Sequence, residues 1–191
     1  AYEAVPVLAE GYDISDDGLT TTVYLQKDVR FHDGSRLTAK DVLYSIDQAR
    51  GSDYYGSRFY AVTNASADGD YTVVLTTSTA YECLPLLLDI PVIKDGSRDE
   101  AVPLGSGPYV MDGDTRLVRN TNWWQTAAPI VDFAEVKLTL VEKTSEVRDN
   151  FEYENVNLVL TDPNSAAFAG FHNDYELWDA RLPIMQYIGY N

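Results

Sequence analysis

The sequence predicts a mixed domain of the α/β or α+β class, in which short strands pair by hairpins and a few helices lie between them. Three observations support this class. Apolar residues alternate at strand period after the turn at residues 16–18, they recur at helical spacing over residues 39–50, and two further short alternating segments flank Gly113. Because these segments are short and bounded by glycine turns, each strand is expected to pair with a neighbour in sequence.

The first predicted hairpin turns at Asp16-Asp17-Gly18, because glycine accepts a positive φ at little cost. From Leu19 to Leu25 apolar and polar side chains then alternate as in a half-buried strand. A second polar turn is predicted at residues 31–35, which read Phe-His-Asp-Gly-Ser.

A helix is predicted from Ala39 to Arg50. Thr38 is able to cap its first amides, and Asp41, three residues later, favours the positive end of the helix dipole. Four apolar residues recur on one face of this helix: Val42, Leu43, Ile46 and Ala49.

The rest of the chain is read as short elements separated by loops. Strands are predicted over residues 71–76, 109–112, 116–119, 131–141 and 156–161. A short helix is predicted from Thr144 or Ser145 to Phe151, and surface loops are expected at residues 94–104 and 165–173.

Composition favours a folded, strongly acidic protein. The 191 residues are 45% hydrophobic, and 30 acidic against 14 basic side chains give a net charge of -16. Such a charge disfavours partners that are nucleic acids or anionic membrane surfaces. The one cysteine, Cys83, stands beside Leu84 and is expected to be a buried small hydrophobe rather than a reactive thiol.

No catalytic, metal or cofactor site is predicted. Nucleophilic catalysis by serine needs a nearby base, and the two histidines, His32 and His172, are better explained by a turn and a loop. One cysteine and two distant histidines do not predict a zinc site. A catalytic pair of carboxylic acids, as glycosidases use, stays an open alternative, since two acids that are distant in sequence are able to meet in the folded protein.

Two motifs carry a resemblance to a known family. Phe31-His32-Asp33-Gly34 followed by Leu37-Thr38-Ala39-Lys40-Asp41-Val42 resembles a signature of the extracytoplasmic solute-binding proteins of peptide and nickel ABC transporters. Gly105-Ser106-Gly107-Pro108-Tyr109 is similar to a turn of the same family.

The resemblance implies a periplasmic-binding-protein-like lobe with mixed β-sheets and flanking helices. Because members have two lobes and are longer, residues 1–191 are expected to be a fragment covering most of the first lobe, with the second lobe absent. The implied function is the substrate-binding component of an ABC importer. The protein would bind a peptide or related small solute outside the cytoplasm and deliver it to the permease. It would contact the membrane only through that permease or a lipid anchor.

The candidate ligand-binding residues follow the predicted helix. This stretch contains four aromatic rings and one guanidinium, which offer stacking surface, hydroxyl groups and a fixed positive charge to a polar solute. The candidates are Tyr54, Tyr55, Arg58, Phe59 and Tyr60. Trp124 is a further candidate, although the resemblance implies that an aromatic residue after Arg119-Asn120 is chiefly a core residue. For Phe59 and Tyr60, packing under the lobe is the alternative.

Two other functions stay open. A similar module occurs as the ligand-sensing domain of transcription regulators, in which case a DNA-binding domain would precede it. A hydrolase is a further alternative, and it would require His32 or His172 for activity.

Overall fold

The structure is a computed structural model that describes residues 3–125, 133–153, 156–159, 171–172 and 174–176. The chain divides into two compact units, Ala1–Leu138 and Thr139–Asn191. The first unit contains seven strands and one α-helix among its described residues: β1 Ala9–Ile14, β2 Thr20–Leu25, α1 Ala39–Arg50, β3 Val62–Ala67, β4 Thr72–Thr77, β5 Tyr109–Met111, β6 Arg116–Arg119 and β7 Glu135–Lys137. The second contains α2, Thr144–Tyr153. The mixed α+β class is confirmed.

A four-stranded antiparallel sheet in the order β1-β2-β4-β3 forms the larger layer of the first unit. Its first hairpin turns at Gly18, where φ is +69° and an added Cβ would lie 3.0 Å from Ala80 Cβ. Within the sheet, Val23 pairs with Val73. Since side chains alternate between faces, these residues share one face with Leu75, which is buried.

Helix α1 contributes to the core with Ile46 and Ala49, which are both buried. Its predicted limits, Ala39 and Arg50, are confirmed. The start of the helix is held by Asp41, whose Oδ2 accepts hydrogen bonds from Thr38 N at 2.9 Å and Thr38 Oγ1 at 2.8 Å. These bonds satisfy polar groups that a helix start would otherwise leave unpaired.

A smaller antiparallel sheet has the order β5-β6-β7. The predicted strands at 109–112 and 116–119 are confirmed to within one residue, and Gly113 turns between them with φ +68°. All strand pairings in the described part of the chain are antiparallel.

Several predicted elements require correction. The long strand over 131–141 is wrong, because among its described residues only Glu135–Lys137 form a strand; residues 131–132 lie outside the described part. Residues 156–159 form no strand, and 160–161 are also outside. Apolar alternation does not make a strand where no partner lies alongside.

The other predicted elements are confirmed with small shifts. The strand over 71–76 is β4, one residue later at each end, and the short helix is α2, which continues to Tyr153. Residues 94–104 form a loop without helix or strand, whereas most of 165–173 lies outside the described residues.

Cys83 is exposed rather than buried, so the prediction of a buried thiol is wrong. It immediately precedes a short 3-10 helix, Leu84–Leu87, whose first residue is fully buried in the core. The tight turn places Leu84, rather than Cys83, in the core.

Asp33 in the turn before α1 makes a pH-dependent contribution to stability. The hydrogen bond from the Lys94 ammonium, followed by those from the hydroxyl and amide of Ser35, lowers the pKa of Asp33 to about 2 from its usual 3.8. A carboxyl whose pKa is lower in the folded protein stabilises it above the unfolded pKa, near 4. We expect this stabilisation to be lost as the pH falls from about 4 through about 2.

The measurement is an NMR titration of the Asp33 carboxyl in the wild type and in Lys94→Met. The substitution should raise the pKa towards its usual value, because the largest cause of the shift is removed. A wild-type pKa that is not lowered, or one that Lys94→Met leaves unchanged, would contradict this assignment.

Candidate functional site

The segment after α1 is folded by short-range hydrogen bonds. Ser52 Oγ accepts from the amides of Tyr54 and Tyr55 at 3.2 and 3.4 Å, and Gly56 N donates to Ser52 O at 2.8 Å. A Cβ at Gly56 would lie 2.9 Å from Arg50 O, so the close return of the chain requires glycine there. The chain then enters a 3-10 helix, Gly56–Phe59.

This turn brings together Tyr54, Tyr55 and Arg58, which we call the aromatic cluster. The two tyrosine rings meet edge to face with centroids 4.7 Å apart. Arg58 Cζ lies 4.9 Å from the Tyr55 centroid and 5.9 Å from the Tyr54 centroid. At these distances the guanidinium is attracted electrostatically by both rings.

The cluster is open to solvent on one side. Tyr54 is 73% exposed, whereas Tyr55 is half-buried and packs against the core. Arg58 Nη1 donates to Asp89 Oδ1, and the side chain of Asp89 is 72% exposed against 23% for Arg58. The arrangement presents one aromatic face and one oriented guanidinium at the surface.

Phe59 and Tyr60 face different environments although they are adjacent. Phe59 is 3% exposed and belongs to the hydrophobic core, whereas Tyr60 is 82% exposed. The candidate residues therefore separate by placement: Phe59 packs inside, Tyr60 and Tyr54 offer their rings to solvent, and Tyr55 and Arg58 lie between.

Trp124 is half-buried and packs against the core. Its Nε1 donates to Ser106 O at 3.1 Å, and its ring meets that of Trp123 edge to face at 6.3 Å. Among the described residues, no hydrogen bond or ring contact joins Trp124 to the aromatic cluster. It anchors the turn at residues 105–109.

Two features of this unit were missed from the sequence. Asp89 lies far from Arg58 along the chain, so only the fold pairs them. A groove of about 410 Å³ is lined mainly by apolar side chains from residues 3–9 and 85–92, the core face of the larger sheet, and α1. The apolar runs at residues 4–8 and 84–88 were the available signal for it.

The histidines are engaged in polar contacts of their own. His32 N donates to Gly105 O at 2.9 Å, and His32 Nε2 lies 3.2 Å from Gly107 O, so this residue joins two turns. In the second unit, His172 Nδ1 lies 3.0 Å from Glu152 Oε1. The described part of the chain holds no group of three His, Cys, Asp or Glu side chains able to bind a metal.

Within the described residues, no helix combines the length and the apolar character needed to span a bilayer.

Comparison with known proteins identifies the family. Residues 3–191 match the family model described as "Bacterial extracellular solute-binding proteins, family 5 Middle". The glutathione-binding protein GsiB of Pectobacterium atrosepticum is 32% identical over 145 residues, which cover 67% of this chain and 28% of that protein. The chain thus spans about 28% of the length of the curated relatives that it matches.

Two solved structures show the same fold. NikA from Brucella suis, in complex with Fe(III)-EDTA, superposes with a TM-score of 0.68 at 22% identity, covering 81% of this chain and 34% of that chain. The oligopeptide-binding protein AppA from Bacillus subtilis, in complex with a nonapeptide, superposes with a TM-score of 0.61 at 21% identity, covering 79% and 34%. With the family match extending over residues 3–191, this chain belongs to the bacterial extracellular solute-binding proteins of family 5.

Proposed function

We propose that this chain is part of the first lobe of the substrate-binding component of an ABC importer. The whole protein captures a peptide or a related small solute in a cleft between two lobes and delivers it to the permease. It works outside the cytoplasmic membrane, attached through the permease or through a lipid anchor outside residues 1–191. It performs no chemistry on the solute.

The family match over residues 3–191 is the observation that carries this proposal. The names of two matched proteins support a peptide or a related small solute, since one relative is a glutathione-binding protein and one neighbour holds a nonapeptide. The exposed aromatic cluster supports it, because aromatic rings beside an oriented guanidinium suit a polar solute with a flat or apolar part.

In the proposed mechanism the solute first meets the exposed rings of Tyr54 and Tyr60, with Tyr55 and Arg58 behind them. Trp124, which is half-buried, contributes its ring, and Phe59 supports the segment from the core. The second lobe then closes over the solute. Closure is favoured only by the difference in the solute's affinity for the closed and open states.

The test is native mass spectrometry of the gently purified full-length protein. A retained peptide or other small solute would support the proposal and identify its class. A protein that retains no solute, and whose melting temperature does not rise with glutathione or a nonapeptide, would contradict it, because a bound solute stabilises the folded state.

Tyr54→Ala in the full-length protein is expected to weaken binding of the retained solute about 3- to 10-fold, the size of one aromatic contact. The fold should be unaffected, because Tyr54 is 73% exposed. Isothermal titration calorimetry measures the affinity, and Tyr153→Ala is the matched control, since Tyr153 is 75% exposed in the second unit. Equal losses in both variants, or none in Tyr54→Ala, would remove Tyr54 from the site.

A further inference from the structure

We propose that Arg58 binds a carboxylate group of the solute, and that Asp89 occupies the position of that carboxylate when no solute is bound. The solute class is then an anion or zwitterion with a free carboxylate. This inference rests on the proposed function and specifies the chemistry of the same site.

The guanidinium of Arg58 is oriented before any solute arrives. Two tyrosine rings lie within 6 Å of Cζ, and only 23% of the side chain is exposed. Among the described residues, Nη1 is the one guanidinium nitrogen that donates to a protein acceptor. An arginine held in this way keeps N–H groups available for the paired hydrogen bonds that a carboxylate accepts.

Asp89 is suited to exchange with such a carboxylate. Its side chain is 72% exposed, and its one hydrogen-bond partner among the described residues is Arg58. Because the carboxylate of this ion pair is mostly exposed, releasing Asp89 to water costs little.

The backbone around Asp89 leaves this movement unhindered. Leu88 N donates to Pro85 O, and Ile93 N donates to Ser45 Oγ, but residues 89–92 form no backbone hydrogen bond with the part of the chain that the structure describes. Ile90 and Val92 pack against the core and hold the segment in place. The Asp89 carboxylate is therefore able to rotate away while the main chain stays anchored.

Acetate is the simplest probe of this exchange, with acetamide as its neutral match. We would titrate both into the full-length protein at constant ionic strength and follow the Arg58 Nε–H resonance by NMR. Asp89→Asn removes the competing carboxylate. Asp53→Asn is the matched control, because Asp53 is an exposed carboxylate in the same segment and makes no described contact with Arg58.

We expect acetate to shift the Arg58 resonance and to bind about two- to five-fold more tightly in Asp89→Asn than in the wild type, the factor that corresponds to an exposed ion pair. Asp53→Asn should stay within about 1.5-fold of the wild type, because screening weakens separated charges. Acetamide should leave the resonance unchanged.

The inference is overturned if acetate does not shift the Arg58 resonance in any variant. It is also overturned if Asp53→Asn raises the affinity for acetate as much as Asp89→Asn does, or if acetamide shifts the resonance as much as acetate does. Native mass spectrometry tests the proposed function separately, because it detects any solute that the protein retains. A retained solute without an acetate response removes the carboxylate site alone. An acetate response in a protein that retains no solute, and that glutathione and a nonapeptide do not stabilise, contradicts the transport role alone.

Discussion

Replacing Phe59 with alanine should destabilise the first unit by about 3–5 kcal/mol, the usual loss for a buried phenylalanine. The ring is 3% exposed and packs in the core cluster with residues that include Ile46, Leu75 and Leu84. Truncation removes its apolar contacts and leaves a cavity that the surrounding strands and helix fill only in part. Amide hydrogen exchange of β4 measures this loss even within a longer protein, because exchange reports local stability.

Tyr60→Ala is the control for Phe59→Ala, since the adjacent ring is 82% exposed. Its effect on β4 exchange should stay within about 0.5 kcal/mol, as for other exposed substitutions. If the Phe59 variant were as stable as the Tyr60 variant, Phe59 would not be a core residue. A loss of solute affinity in the Tyr60 variant without loss of stability would place Tyr60 at the ligand.

Replacing Asp41 with alanine should destabilise the first unit by about 2–3 kcal/mol, because hydrogen bonds to a buried carboxylate are strong and the helix loses its cap. Asp41 is 7% exposed and accepts from Thr38 N and Thr38 Oγ1 through Oδ2. Its Oδ1 accepts from Asp95 N at 3.0 Å, which fixes the following loop to α1. Exchange of the α1 amides and of Asp95 N should therefore accelerate together.

Asp47→Ala controls for charge and helix propensity, because Asp47 lies on the exposed face of the same helix. It should change stability by no more than about 0.5 kcal/mol. Faster exchange of the first α1 turn without any change at Asp95 would show that the cap and the loop contact are independent. Equal effects of the two aspartate substitutions would refute the structural role of Asp41.

Local signals in the sequence predicted much of the first unit. The turn at Gly18, the strand that ends at Leu25, and the helix Ala39–Arg50 each depend on neighbours a few residues away, and the structure confirms them. Strand β3, by contrast, was not predicted, because residues 62–67 read Val-Thr-Asn-Ala-Ser-Ala and contain few large apolar side chains. It forms because Val62 and Ala65 lie alongside β4 and complete the antiparallel sheet.

The candidate site divides in the same way. Sequence proximity was enough to place Tyr54, Tyr55 and Arg58 together, because all three lie within residues 54–58. It left open whether Phe59 is buried, and it wrongly predicted that Cys83 is buried, since both depend on how the fold packs distant parts of the chain. It also did not predict Asp89 as the partner of Arg58.

The sequence by itself determined the class of the fold, the limits of its first helix, the acidic charge, and the motifs that resemble this family. Periodicity, capping and turn chemistry act over a few residues, so they are readable without coordinates. Only the tertiary structure decided which rings face solvent, that Asp89 pairs with Arg58, and that Asp41 holds a loop 54 residues away. Those contacts join distant parts of the chain, and they exist only once the sheet and α1 have packed around a shared core.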